Sequence, residues 1–435
     1  MSTFLGTLPA MLKAPFVKRL GIRPNPANLI DSAYDNGFIR RWRNAAGTGT
    51  VDGIGVDSGN TLHLGGAPVV KPAYQHLYFR APANADITTR RFHIFGAAGR
   101  IISIEEIHTT AGNDSGAVTG HVTKESSGQA PGTGVSLMSG TFNLKGTANT
   151  LQSATLASNG RYLEFAENDS LSFKLTGTAT TAAGICLRVT VQYYTAVFEQ
   201  SIYLAAGTQD QGFFIANRPY EVLGIRYSHQ TKEVTATTMA VQVKIQDGTE
   251  TSSQGTAILT NNSNAGFSAV AANDAVQTGT FAALTMAASE RLSVDFSTSG
   301  TELVGLVVTV TFRAQANRLE VSYWRHDTDV VDAVYFIADR DYELYDGRQK
   351  HAVAAGGTST ANVEKVSGTN NPSTGTALLA TAWDLNATAE TIQVADISTV
   401  KATRLIVDGE RLSIDYGHTE QSMVGMLQTL SLIGV

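Results

Sequence analysis

Three histidines are the residues whose type and spacing come closest to a repeated reactive centre. His108, His229 and His351 recur at intervals of 121 and 122 residues, each at the end of an alternating apolar segment. An imidazole can act as a general base or a metal ligand, but a zinc site needs further ligands at short spacing. No second His or Cys stands near any of the three. We therefore expect turn or edge residues at strand ends, with a metal-binding or catalytic role as the alternative.

The single cysteine, Cys186, aligns with the apolar residues Val307 and Leu427 elsewhere in the chain. A thiol in apolar surroundings behaves as a small hydrophobic group and is a poor nucleophile. We expect Cys186 to be buried, and one cysteine cannot form an internal disulfide.

Carboxylates are concentrated in one segment of the last third of the chain. Calcium would require several oxygen ligands converging on one point, and this segment follows no ordered ligand spacing. We expect an acidic patch that faces solvent or another subunit, with a calcium site as the alternative. The residues are Asp327, Asp329, Asp332, Asp339, Asp341, Glu343 and Asp346.

Common enzyme motifs are absent from the sequence. It contains no Gly-x-Ser-x-Gly nucleophile motif, no Gly-x-x-x-x-Gly-Lys phosphate loop and no His-Glu-x-x-His metal motif. The sequence therefore predicts a protein that is not an enzyme, with no catalytic residues, no cofactor and no bound metal.

One short segment has the residue types of a binding site. Guanidinium groups pair with carboxylates and stack on aromatic rings, so Arg40, Arg41, Trp42 and Arg43 are the predicted partner-binding residues. The first 72 residues carry eight basic and four acidic side chains, hence +4, which leaves −10 for the rest of a chain of net charge −6. A basic segment ahead of acidic domains suggests docking on a protein partner or on those domains, with nucleic-acid contact as the alternative. The acidic remainder is expected to repel nucleic acid.

The elements that must position these residues are repeated three times. The segment Leu171-Ser-Phe-Lys-Leu175 returns as Leu292-Ser-Val-Asp-Phe296 and as Leu412-Ser-Ile-Asp-Tyr416. A glycine at the same offset then opens an alternating apolar strand in each copy: Gly184, Gly305 and Gly425. A period of this length is that of a whole domain, so three tandem domain copies are predicted.

Each copy is predicted to form an antiparallel β-sandwich. Period-2 alternation interrupted by Gly, Ser, Asn and Thr clusters predicts about eight short strands per copy. In the middle copy they lie at 213–215, 222–229, 239–245, 256–259, 276–280, 282–286, 292–296 and 304–312. This pattern favours a jelly roll, with an immunoglobulin-like sandwich as the alternative. The predicted fold class is all-β: three tandem antiparallel β-sandwich (jelly-roll-like) domains preceded by a mostly irregular N-terminal arm.

The predicted domains are an extended, basic, Pro-rich arm at 1–75 and sandwich repeats at 76–195, 196–317 and 318–435. Six of the ten prolines lie in the arm, where they prevent long helices; a short helix is expected only at 28–34, before Asn36-Gly37. The arm is expected either to dock on another chain or on its own domains, or to be a loose leader. Because the linkers are short, the sandwiches should touch, as a pseudo-threefold monomer or within a homo-trimer.

The chain resembles structural proteins of tailed-bacteriophage particles. The resemblance rests on the Thr-, Ala-, Gly- and Ser-rich strands, the proline-rich arm, and the repeated Leu-Ser-x-Asp-aromatic segment after a turn carrying Asp169, Glu290 or Glu410. These features are similar to those of capsid decoration or cement proteins built from jelly rolls. The resemblance implies a non-enzymatic virion protein on the capsid exterior, assembled in the host cytoplasm, whose partner is the major capsid protein. Such a protein bridges and stabilises capsid subunits through multivalent contacts.

A phage fibre, spike or receptor-binding protein that binds glycans is the alternative function. Exposed aromatic residues on outer loops would then be expected, and Trp324 and Trp383 in the third copy are the candidates. The sequence contains no run of 18 or more apolar residues, so no membrane-spanning segment is expected.

Overall fold

Antiparallel β-strands make up almost all of the regular structure, as the alternation of apolar residues predicts. The structure, a computed structural model, describes the backbone of five short strands before residue 72 and most of the chain from Ala73 onward. Beyond Ala73, the residues outside this description are 82, 207–209, 237, 261–265, 301, 315–317, 326–331, 418–422 and 435. Among the described residues, no helix has the length and apolarity needed to cross a membrane.

The strands of the N-terminal segment form one antiparallel sheet in chain order. They are β1 (Leu29–Tyr34), β2 (Gly37–Arg43), β3 (Thr50–Val56), β4 (Leu62–Leu64) and β5 (Ala67–Pro68). The helix expected at 28–34 is therefore wrong. An isolated helix of seven residues is marginal, whereas pairing of Tyr34 with Gly37 and of Leu29 with Trp42 satisfies backbone groups of both strands.

Ten strands in the same order build each of the three repeats. In the first repeat these are β6 (Ala73–Ala81), β7 (Arg90–Ile94), β8 (Gly99–Ile107), β9 (Thr119–Glu125), β10 (Val135–Ser136), β11 (Phe142–Asn143), β12 (Gln152–Ser153), β13 (Glu164–Phe165), β14 (Ser170–Thr176) and β15 (Ile185–Tyr193). A short helix, α1 (Gly160–Leu163), precedes β13.

The second and third repeats follow the same plan. The second contains β16 (Val197–Ala206), β17 (Gln211–Ile215), β18 (Tyr220–Ser228), β19 (Ala240–Gln246), β20 (Thr256–Ala257), β21 (Phe267–Ser268), β22 (Gln277–Thr278), β23 (Leu284–Met286), β24 (Arg291–Phe296) and β25 (Val304–Arg313). The third contains β26 (Arg318–Arg325), β27 (Ala333–Ile337), β28 (Tyr342–Lys350), β29 (Thr360–Val366), β30 (Thr376–Ala377), β31 (Leu379–Thr381), β32 (Trp383–Asp384), β33 (Gln393–Val394), β34 (Asp396–Ile397), α2 (Lys401–Arg404), β35 (Leu405–Ile406), β36 (Arg411–Tyr416) and β37 (Met426–Gly434). The additional strands β31 and β34 pair with each other.

Two sheets form each sandwich, and their strand order is that of a jelly roll. In the first repeat the sheets run β6-β15-β8-β12, with β13 also on β8, and β7-β14-β9-β10, with β11 also on β9. Thus the first long strand pairs with the last, the second with the last but one, and so on inward. This is one long antiparallel hairpin wrapped around a core, the winding of a jelly roll and not of an immunoglobulin sandwich. The other two repeats have equivalent orders.

The repeated sequence segment owes its shape to the turn before it. In all three copies the third residue of that four-residue turn is left-handed: Asn168 (φ 72°), Ser289 (φ 73°) and Gly409 (φ 80°). The acidic residue that follows accepts a hydrogen bond from a backbone N–H three residues upstream: Asp169 from Ala166, Glu290 from Ala287 and Glu410 from Val407. These carboxylates therefore close a turn that joins the two sheets of each sandwich, because β13, β23 and β35 lie in one sheet and β14, β24 and β36 in the other.

Each sandwich buries its own apolar core, and the three together form one compact unit, Pro72–Val435. In the first repeat Phe79 and Phe173 from opposite sheets stack with ring centroids 4.6 Å apart. A fourth, smaller cluster does not belong to one sandwich: Ile107 and Cys186 of the first repeat pack against Val334 and Ile337 of the third. This cluster is part of the contact between those two repeats.

Candidate functional site: polar interfaces and exposed bulges

The three repeats contact one another head to tail. Strand β7 of the first repeat lies against β16 and β25 of the second, β17 of the second lies against β26 and β37 of the third, and β27 of the third lies against β6 and β15 of the first. In each case the second strand of one repeat meets the first and last strands of the next. Heterologous contacts of this kind generate a closed ring when the last subunit reaches the first, and here they do so within one chain.

Glu199 on β16 holds the first interface. Its Oε2 accepts hydrogen bonds from His93 Nε2 (2.9 Å) and from the Tyr193 hydroxyl (2.7 Å) of the first repeat. Its Oε1 accepts from the backbone N–H of Gly96 (2.6 Å) and from the Thr311 hydroxyl (2.8 Å). All four acceptor positions of a buried carboxylate are therefore occupied, three of them by the neighbouring repeat.

Glu320 on β26 occupies the equivalent position in the second interface. It accepts hydrogen bonds from Asn217 Nδ2 (3.0 Å) and Arg218 Nη2 (2.9 Å) of the second repeat, and from the Ser431 hydroxyl (2.7 Å) of its own. Burial raises the pKa of Glu320 above its ordinary value, although the hydrogen bonds and Arg218 oppose the shift. Ser431 here matches Thr311 in the first interface.

In the third interface the histidine and the carboxylate exchange places relative to the first interface: the histidine lies on the first strand, and the carboxylate belongs to the neighbouring repeat. The position of the two glutamates is taken by His76 on β6, whose Nε2 donates to Asp339 Oδ1 of the third repeat (2.9 Å). Burial lowers the pKa of His76. Burial alone would raise the pKa of Asp339, but the hydrogen bond and charge of His76 hold it well below its usual range. Arg188 adds a bond to the carbonyl of Ile337, in the same part of the interface.

A small cavity lies where the first strands of the three repeats meet. Its volume is about 40 Å³, and its lining includes His76, Glu199 and Glu320, one equivalent residue from each repeat. A space of this size and polarity can hold water. The carboxylates that border it are already saturated by hydrogen bonds, so the arrangement supports contact between repeats better than capture of a cation.

A β-bulge in the third strand of each repeat presents an exposed apolar side chain. Ile102, Leu223 and Tyr345 are skipped by the pairing of β8 with β15, β18 with β25 and β28 with β37. They are 37%, 39% and 55% exposed. Bulges in the second strands behave differently, because the residues skipped there are buried aromatics: Phe92, Phe213 and Tyr335. Exposure at the third strand is therefore a particular feature of that position and not a general result of bulging.

The three aligned histidines lie at strand ends but are fully buried, which corrects the expectation of turn or edge residues. Each contacts a backbone carbonyl through Nε2: His108 with Gly146, His229 with Ala271 and His351 with Ala387. The Nδ1 atoms contact the residue two positions upstream, Glu106, Tyr227 or Gln349. These histidines therefore fasten one loop in each sandwich, and a buried ring is favoured because both nitrogens have partners.

Cys186 is buried, as expected from its apolar equivalents, and burial raises the pKa of its thiol to about 12. Its neighbours were not expected from the sequence, because Cys186 packs in the cluster shared by the first and third repeats. A protonated, inaccessible thiol is unreactive.

The acidic segment does not converge on one point among its described members. Asp332 accepts a hydrogen bond from the backbone N–H of Tyr416, Asp341 from that of Asp408, and Glu343 pairs with Arg404. Asp327 and Asp329 lie outside the described residues. No group of three or more His, Cys, Asp or Glu side chains suited to a metal ion occurs within the described part of the chain.

The predicted binding segment lies on β2, whose backbone alone is described, so the side chains of Arg40, Arg41, Trp42 and Arg43 are outside the described structure. The two tryptophans proposed for glycan contact are not an exposed pair. Trp383 is 2% exposed in the third core. Trp324 is half-buried against Tyr203, with ring centroids 5.4 Å apart.

The residues that join the repeats were missed at the level of sequence. Strand β16 was absent from the strands expected in the middle copy, and it carries Glu199. The alternation of Phe198, Gln200, Ile202 and Leu204 with Glu199, Ser201 and Tyr203 is a detectable signal, but it gives no clue to a neighbouring repeat. The chain matches no protein-family model, no curated protein and no solved structure.

Proposed function

We propose that the chain is a non-enzymatic virion structural protein, a capsid decoration or cement protein that bridges and stabilises major capsid subunits. The observation that carries this proposal is the head-to-tail closure of three jelly rolls into a ring. A ring with threefold pseudo-symmetry is complementary to a surface where three copies of one subunit meet. The titratable groups that the fold brings together are engaged in holding the repeats to each other, which suits a structural role.

The exposed bulge residues are the contacts we assign to the capsid. Ile102, Leu223 and Tyr345 occupy equivalent positions of a ring, so they lie on the same side of it at equal distances from its axis. Three modest apolar contacts made by one rigid body reinforce one another, because the second and third form intramolecularly after the first. Tight attachment therefore requires no large patch on any single repeat.

Co-sedimentation with particles that lack the protein tests this function. The purified chain should pellet with them, and the triple variant I102K/L223K/Y345K should lose most of that binding. A matched control, V135K/T256K/T376K, adds the same charge at equivalent exposed positions of β10, β20 and β30 and should bind like the wild type. Failure of the wild-type chain to pellet would refute the proposal, and equal loss in both triple variants would refute the assignment of the contacts.

A further inference from the structure

One surface row in the first repeat has a composition that the other repeats lack. Tyr74, Gln192, Arg100 and Glu164 are directly paired across the adjacent strands β6, β15, β8 and β13. Residues opposite one another in antiparallel strands project on the same face of the sheet. The four side chains therefore form a continuous row about 14 Å long, from three strand spacings of ~4.8 Å.

The row is held in place by its own contacts and open to solvent. Gln192 Nε2 donates to the Tyr74 hydroxyl (3.1 Å), and the hydroxyl of Tyr194, two residues after Gln192, hydrogen-bonds Glu164. Tyr74 and Tyr194 are 47% and 54% exposed, so each offers about half of its surface to a ligand. The Arg100 guanidinium is exposed and makes no hydrogen bond with any described residue.

The equivalent rows show that the jelly roll itself does not require these residues. In the second repeat the row consists of Val197, Arg313, Glu221 and Thr285. Its two charged side chains, Arg313 and Glu221, form an ion pair with each other. In the third repeat Glu343 pairs with Arg404. Neither row carries a tyrosine. The tyrosines of the first repeat are thus an addition to one face of one domain.

We propose that this row binds a neutral oligosaccharide. The apolar faces of pyranose rings pack on aromatic side chains, which supply large and rigid contact area. Sugar hydroxyl groups both donate and accept hydrogen bonds, which matches a row that combines the donors of Arg100 and Gln192 with the acceptors of Glu164 and the tyrosine hydroxyls. Arg100 and Glu164 cancel in charge, so the row is complementary to an uncharged ligand. Its length fits a short linear chain of sugars.

A glycan array that displays neutral and acidic oligosaccharides, followed by calorimetric titration of the best neutral ligand, tests the proposal. The wild-type chain should bind neutral oligosaccharides, and the single variants Tyr74→Ala and Tyr194→Ala should each weaken binding at least tenfold. Arg313→Ala, at the position of Gln192 in the second repeat, is the matched control and should bind like the wild type. Circular dichroism and thermal melting of each variant verify that the sandwich is intact.

Binding to no array member, binding to acidic glycans alone, or equal affinity in the tyrosine variants and the control would overturn the proposal. Arg100 and the capsid contact Ile102 are both exposed on β8, so the array and the titration use the free chain, where their outcome does not depend on capsid attachment. The tyrosine variants should still co-sediment with particles, and the I102K/L223K/Y345K variant is judged by particle binding alone. If the wild-type chain pellets with particles but binds no glycan, the glycan proposal alone fails. If it binds glycans but does not pellet, the capsid proposal alone fails.

Discussion

Single residues at the contacts between repeats explain why the three sandwiches hold together. The equivalent position on the first strand is glutamate in two interfaces and histidine in the third, and each time it forms a hydrogen bond with the neighbouring repeat. A buried carboxylate is tolerated only when its acceptor positions are filled. Glu199 accepts hydrogen bonds from His93, Tyr193 and the Gly96 N–H, so its acceptor positions are filled only while the first two repeats are in contact.

Replacement of Glu199 by alanine should therefore be strongly destabilising. It removes the shared acceptor of four donors, and each buried donor left without a partner costs about 1–3 kcal/mol. Urea-induced unfolding measures the change in free energy. Glu221→Ala is the control, because Glu221 forms an exposed ion pair with Arg313 and such pairs contribute little. Similar effects of the two substitutions would contradict the role given to Glu199.

A pH dependence is expected from His229. Burial lowers its pKa, opposed by its bond to the Ala271 carbonyl and assisted by the nearby Arg91 and Lys232. In the unfolded chain this imidazole takes up a proton near pH 6.5, whereas the folded form resists it. His229 therefore contributes stability above pH 6.5 that is lost as the pH falls below that value.

The variant His229→Gln isolates this contribution. Glutamine can accept from the Tyr227 hydroxyl and donate to the Ala271 carbonyl, yet it does not titrate. The free energy of unfolding, measured between pH 7 and pH 5, should fall more steeply for the wild type than for the variant. Parallel curves would show that His229 does not titrate on unfolding in this range.

Among the secondary-structure elements, the last strand of each sandwich requires a glycine at its start. Gly184, Gly305 and Gly425 have φ values of 68°, 67° and 69°, a left-handed conformation that is strained for any residue with a Cβ atom. A Cβ atom at Gly305 would also overlap the side chain of Gln230. The long strand that follows pairs with two neighbours and meets the next or preceding repeat, so its starting direction matters for both sheet and ring.

Gly305→Ala should consequently destabilise the second sandwich by roughly 1–3 kcal/mol, the cost of one strained backbone residue. Gly140→Ala is the matched control, because its Cβ atom would meet open space and its φ is not left-handed. Thermal melting measures the stability of both variants, and only Gly305→Ala should melt at a lower temperature than the wild type. If the melting temperature fell as much in Gly140→Ala as in Gly305→Ala, backbone strain at Gly305 would not explain the destabilisation.

The elements that were predictable from sequence are those defined by local chemistry. The turns at Asn168, Ser289 and Gly409, the glycines that open the last strands and the all-β fold follow from residue types at fixed spacing. The first strand of the middle copy and the two-residue strand β21 were missed, whereas the two strands expected at 276–280 and 282–286 are confirmed as β22 and β23. The bulges at Ile102, Leu223 and Tyr345 could not be predicted, because a bulge depends on the register with a partner strand far along the chain.

At the largest scale, the unit Pro72–Val435 is a ring that repeats one contact three times, and no local pattern in the sequence encodes that closure. The third contact has no covalent linker of its own, since it joins the last repeat to the first. It depends on the cluster of Cys186, Ile107, Val334 and Ile337 and on Arg188. This contact is therefore the point at which the ring should open first when it is weakened.

Val334→Asp should open the ring without unfolding the sandwiches. Val334 packs in the shared cluster and not in the core of the third repeat, and a buried unpaired carboxylate costs several kcal/mol. Small-angle scattering should show a larger radius of gyration while circular dichroism stays constant. Val353→Asp, at a valine that is 47% exposed, should change neither signal. An unchanged radius in Val334→Asp would argue against the closing contact.

Cryo-electron microscopy of capsid particles incubated with the purified chain tests the proposed role most directly. We expect three-lobed density for one copy of the chain over a site on the outer shell where three capsid subunits meet, with β8, β18 and β28 facing the shell. Density for the chain in a tail fibre or spike, with none on the shell, would contradict the account.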